Sequence, residues 1–338
     1  MMKFSAQSFI GLFAFILVTT NAFAATTWNV SLWGKRRAFT EHVEKLAELV
    51  SAKTDGQFKL NISYGGLSGN KENLDGISFG AFEMAQFCAG YHPDKNPTIT
   101  VLELPFLGVN TLEEEIAVSM AVYQHPATVK DLARWNARLL MPSPLPQYNI
   151  AGVGTAPKSL EDFNGMRIRA VGGIGEAMNI AQAVPTSMSA TEVRQSLDSG
   201  VISAAAFAPH AHMSFGTLEI ADWWTTNLNP GTVNCPVVVN IDALNDLNPA
   251  FREALLGSVD EALDYYVHYY NEKTMNAWWP LLKEKEIEQV TFAQAQLELF
   301  KEQVAGPVSK AWIKEMNQKG IPAQELYDLV IDTLNLNP

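Results

Sequence analysis

The chain has 338 residues, with 24 Lys and Arg against 36 Asp and Glu, for a formal net charge of −12. Such a balance lacks the basic surface that nucleic acid or an anionic membrane face requires, so neither is expected as a partner. The two cysteines, Cys88 and Cys235, form no CxxC pair and no metal-ligand spacing; they are read as buried small hydrophobes in preference to a bridge.

The first 24 residues read as a cleavable export signal. Lys3 opens it, the apolar run Phe9–Val18 follows, and Ala22-Phe23-Ala24 supplies a small-x-small cleavage pattern. The run is shorter than the roughly 20 residues that span a bilayer. Export places the mature chain in the periplasm, where a disulfide is chemically permitted. What remains is long enough for about two domains.

Alternation over Trp28–Trp33 predicts a first strand, and apolar residues at helical spacing predict a helix over Ala38–Lys53, stopped by Thr54-Asp55-Gly56. Phe58–Tyr64 reads as a second strand, Lys71–Ser78 as a short helix and Ala81–Phe87 as a third strand. This β-α-β-α-β order points to a parallel sheet in an α/β domain. Helices over Thr111–Tyr123 and Thr128–Trp135 lead to a strand starting at Leu139, which Pro142, Pro144 and Pro146 interrupt. A second α/β unit begins near Ser159, with strands Met166–Val171 and Val201–Phe207 around helices Ile174–Ala183 and Ala190–Ser199. Val237–Asn240 reads as a further strand, and from Pro249 the pattern is mostly helical.

Enzyme signatures fail on inspection. Gly76-Ile-Ser78-Phe-Gly80 matches G-x-S-x-G, but the helix precedes the serine and the strand follows it, the reverse of a nucleophile elbow. Gly173-Ile-Gly175 lacks the third glycine of a dinucleotide fingerprint, since Met178 holds that place. His210 and His212 have no cysteine or carboxylate at ligand spacing and read as surface or hydrogen-bonded histidines. Neither a catalytic role nor a cofactor is expected.

The segment from Ser159 to Gly173 is the most informative. On a strand from Met166, Arg167 and Arg169 share one side, and Arg169 lies near the carboxyl end, where open α/β domains bind ligands. A guanidinium there can hold a carboxylate through two parallel hydrogen bonds; equally, it can pair with an acidic neighbour such as Glu176 or Glu192.

Asp162-Phe-Asn-Gly-Met-Arg-Ile-Arg169, then Thr191–Leu197 and Gly200-Val-Ile202, resemble the motifs of the substrate-binding proteins of tripartite ATP-independent periplasmic (TRAP) transporters, the DctP-like family. Phe39–Gly56 resembles that family's first helix, and Leu104-Pro105-Phe106 its "LP-F" signature. The resemblance implies two α/β lobes with a ligand cleft between them and long C-terminal helices crossing both. It implies residues 25–147 as lobe 1, 148–240 as lobe 2 and 241–338 as a helical segment bracing both. Arg169 falls on the family's carboxylate-binding arginine.

The chain also departs from the family pattern. Ser203-Ala-Ala-Ala-Phe207 replaces Asp-Gly-x-Glu-Asn, so Phe207 stands for the pocket asparagine, and Asn149 holds the place of a second arginine. Cys88, beside Tyr91, falls where a polar pocket residue is expected. Trp33 can stack on a ligand where the first strand opens into the cleft. Asn234 offers a hydrogen-bond partner. The combined expectation is a protein that captures a monocarboxylate with an aromatic or apolar body and delivers it to membrane subunits. A short dicarboxylate would need a second cation, with Arg36 or Arg37 as candidate, and a binding protein feeding a sensor would share the same features.

Overall fold

The computed structural model describes residues 25–336, and the expected export signal lies outside them. Its strands are β1 (Thr26–Leu32), β2 (Phe58–Tyr64), β3 (Met84–Gln86), β4 (Ala137–Met141), β5 (Asn149–Gly152), β6 (Arg167–Arg169), β7 (Val184–Thr186), β8 (Ala204–Phe207), β9 (Trp223–Thr225), β10 (Val237–Asn240) and β11 (Glu288–Val290). They form two sheets, of order β2-β1-β3-β10-β4 and β11-β9-β5-β8-β6-β7.

In the first sheet β1 runs parallel to β2 and β3, as the β-α-β-α-β reading predicts. Between β1 and β2 lies the helix Glu41–Lys53, which buries Val43, Leu46, Leu49 and Val50 at helical spacing. Its end follows from local chemistry. The Thr54 hydroxyl donates to Val50 O, and Asp55 and Gly56 take positive φ, so the helix cannot continue.

The chain does not leave the first sheet once. β10 is antiparallel to both β3 and β4, so Val237–Asn240 belongs to the first sheet although the sequence reading assigns it to lobe 2. Likewise β11, inside the segment expected to be helical, pairs with β9 in the second sheet. Periodicity identifies a strand, not its partner, and these two partners are remote in sequence.

The helix Gln294–Gln318 spans the two units. Phe300 and Val304 pack in the core around the second sheet, while Val308 and Trp312, one and two turns on, also meet the core of the first. No helix among the described residues is long and apolar enough to cross a membrane.

Candidate functional site

Arg169 ends β6, which sits between β7 and β8. The two glycines that follow start the helix Gly172–Ile180. The guanidinium is almost wholly buried (2 % exposed). It donates from Nη1 to Ala206 O (3.0 Å), from Nε to Met188 O (3.3 Å) and from Nη2 to the Tyr91 hydroxyl (3.4 Å). Five N–H groups less these three leave one on each Nη, the pair that suits a bidentate carboxylate. Neither acidic neighbour takes them: Glu176 is exposed, and the Glu192 carboxylate accepts from the Ser189 N–H.

A small cavity of about 20 Å³ lies beside Arg169. Its walls are aromatic: Trp33, Phe39, Tyr91, Tyr148, Phe207 and Phe215. The Arg169 guanidinium lies over Phe207 at 4.5 Å from the ring centroid, and Phe215 stacks on Phe207 (5.9 Å) and on Trp33 (6.3 Å). Trp33 follows β1 and Phe215 lies beyond β8, so the stack closes the space between the two sheets. A ligand must part these rings to enter.

Of the expected residues, the structure brings Arg169, Phe207, Trp33, Tyr91 and Cys88 to this cavity. Cys88 arrives there as one half of a disulfide with Cys235, correcting the expectation of two free thiols. The cause is register. Val237 lies opposite Gln86, and the hydrogen bonds Phe87 N to Pro236 O and Ala89 N to Asn234 O carry the pairing on, so residues 88 and 235 face each other.

Asn234 and Asn149 do not reach the cavity. Asn234 is next to Cys235 but turned inward; its amide accepts from the Tyr123 hydroxyl (2.8 Å) and donates to Ser119 Oγ (3.3 Å). Asn149 donates to Thr225 O and to Asn229 Oδ1, and its neighbour Tyr148 lines the cavity instead. Successive residues of an extended chain face opposite ways, so a placement one residue off selects the wrong face.

Between the two candidate cations the structure discriminates clearly. Arg36 is exposed and pairs with Glu41 (2.8 Å), whereas Arg37 is buried in the cavity wall. Its guanidinium lies 4.4 Å from the centroid of Trp33 and 5.4 Å from that of Phe215. Burial lowers its pKa to about 10, so it still carries a charge at neutral pH. Tyr148, Phe39 and Phe215 join the site as well: Tyr148 and Phe215 lie in loops, where aromatic residues carry no periodicity that assigns them to a wall, and the helical spacing of Phe39 marks it only for a core face.

The histidines behave as ordinary core groups. His210 hydrogen-bonds the Tyr270 hydroxyl and His212 the Thr217 hydroxyl, and burial holds both well below the usual imidazole range. Among the described residues no cluster of His, Cys, Asp or Glu could hold a metal ion.

Two sheets with helices on their faces, a closed aromatic cavity between them and a long helix spanning both define a two-lobed periplasmic binding protein. The model of the bacterial extracellular solute-binding protein family 7, DctP, matches residues 30–315, and the chain belongs to that family of TRAP solute-binding proteins. Solved structures of the same fold share few residues with it. A marine metagenome TRAP solute-binding protein specific for aromatic acids, in complex with 3-hydroxybenzoate, has a TM-score of 0.82 at 19% identity, covering 93% of this chain and 99% of that one. One from Rhodoferax ferrireducens with copurified benzoate has 0.81 at 17%, covering 92% and 98%. DctP7 of Bordetella pertussis, which binds pyroglutamic acid, has 0.78 at 20%, covering 90% and 100%.

Proposed function

We propose that this protein captures a small organic acid with an aromatic or apolar body in the periplasm and delivers it to the membrane subunits of a TRAP transporter. The observation that carries the reading is Arg169: a buried cation with two N–H groups left for a carboxylate, set in a wall of rings. The carboxylate forms a charge-assisted pair with the fork, and the ligand's body replaces the ring contacts that close the cavity. Sugar acids fit the wall poorly, since each hydroxyl left unpaired against it costs about 1–3 kcal/mol.

Capture proceeds by lobe closure. Arg169 and Phe207 belong to the second sheet's lobe, and Trp33 and Tyr91 to the first, so a ligand touching both favours the closed form over the open one. Solved relatives of the same fold that hold benzoate and 3-hydroxybenzoate support the ligand class by analogy.

Thermal-shift titration of the purified mature chain with a panel of organic acids tests the reading, with Arg169→Ala alongside. A ligand at 100 times its Kd stabilises the fold by about 2.7 kcal/mol. Aromatic acids should shift the native protein, and the substitution should weaken them by at least about 30-fold. A panel in which only sugar acids bind, or in which Arg169→Ala responds like the native chain, refutes the ligand class or the anchor respectively.

A further inference from the structure

We propose that Arg37 is a second carboxylate-binding residue, and that the ligand is a rigid, ring-bodied dicarboxylate held with one carboxylate on Arg169 and the other on Arg37. The inference rests on the capture reading above and narrows its ligand class.

Arg37 Nη1 donates to Trp33 O (2.9 Å) and Lys35 O (2.8 Å), which fixes the guanidinium plane. Nε and Nη2, buried in the cavity wall, have no hydrogen-bond partner among the described residues. Those two nitrogens form the side edge of the fork, whose parallel N–H groups match the two oxygens of one carboxylate. The groups acting on its charge are the hydroxyls of Tyr91, Tyr148, Tyr266 and Tyr64, with no carboxylate among them. A buried, charged guanidinium with an unpaired edge is costly unless an anion completes it. Cation–π contact with Trp33 and Phe39 offsets part of that cost but leaves the in-plane donors unmet.

Position makes the second charge useful. Arg37 stands on the first lobe and Arg169 on the second, and the stacked Phe207–Phe215 pair lies between their guanidinium groups. A flat ring can replace that stack while its two ends reach one arginine on each lobe. A diacid therefore links the lobes by charge at both ends, and a monoacid at one end only, so the diacid shifts the open–closed equilibrium further.

The test is calorimetry on the mature protein with benzoate, benzene-1,3- and 1,4-dicarboxylate, and the monomethyl ester of each diacid. At least one diacid should bind about 30-fold or more tighter than benzoate and than its own monoester, the size expected of a second buried charge pair. Arg37→Gln should erase that difference, and Arg37→Lys, which keeps the charge without the fork, should restore only part of it. The ester comparison needs no variant and stands even if Arg37 substitutions fail to fold. Equal binding of diacid and monoester overturns the second site while benzoate binding through Arg169 leaves the capture reading intact. Failure of every organic acid to bind refutes both.

Discussion

Glu103 accepts hydrogen bonds from the Gly90 and Asn234 N–H groups, both at 3.0 Å, on its Oε1. Even so, complete burial raises its pKa to about 7, and the nearby Arg169 charge offsets only part of the rise. The folded form therefore holds a proton that the unfolded chain releases at about pH 4.3, and the stability this contributes is lost as pH climbs through 7. Glu103→Gln keeps an oxygen for both N–H groups and removes the titration. The variant is expected to lose less stability than the native protein between about pH 5.5 and 8.5, by about 1–3 kcal/mol, in denaturant melts at the two pH values. Parallel curves would mean that Glu103 stays ionised throughout. Nothing in the sequence around Glu103 marks it, because its shift comes from surroundings assembled out of distant segments. Arg169 is legible for the opposite reason: strand, glycine turn and helix are contiguous, so the local pattern already places its side chain. Tyr148 and Cys235 are missed by a single position, since their neighbours Asn149 and Asn234 are the residues the sequence leads one to expect in the site.

The helix Gly172–Ile180 carries a constraint of packing. A Cβ added at Gly173 would collide with the carbonyl of Glu103 and stand 2.7 Å from Pro105 Cδ. Gly173 belongs to the second lobe, and Glu103 and Pro105 to the first, so the glycine permits a close approach between lobes. Gly173→Ala should weaken ligand binding by about 1–3 kcal/mol, the usual cost of overpacking, with thermal stability of the unliganded form less affected. Equal losses in both would locate the damage within one lobe. The disulfide acts on the other side of the cavity. Cys88 and Cys235 close a loop 147 residues long between the ends of β3 and β10. Cys235→Ser is expected to lower stability by about 2–4 kcal/mol in oxidising buffer and to match the native chain once a reductant is added. The sequence shows both strands but not that they are neighbours, and so the bridge cannot be read from it.

Strand and helix order in each unit follows from periodicity, and for this reason two α/β units are legible in the sequence alone. Chain crossings are not. Pro142–Pro146 marks the first passage, yet the return to β10 and the second excursion to β11 depend on pairing across the whole molecule. Together with the helix Gln294–Gln318, these passages tie the lobes, and a hinge between them must work within that constraint. In this structure Tyr91 of the first lobe accepts both from the Ala190 N–H (3.1 Å) and from Arg169 of the second. Trp33 and Phe215 stack across the same gap. These contacts are modest, each at most about 3 kcal/mol, so the unliganded molecule should populate open forms that a ligand draws shut. Small-angle scattering should therefore give a smaller radius of gyration at saturating ligand than without it. Phe215→Ala removes the ring contact but not the arginines; it should enlarge the unliganded molecule while leaving the liganded radius close to the native value. An unliganded radius already equal to the liganded one, in both proteins, would mean that the lobes are held by the chain crossings alone and that capture occurs without closure.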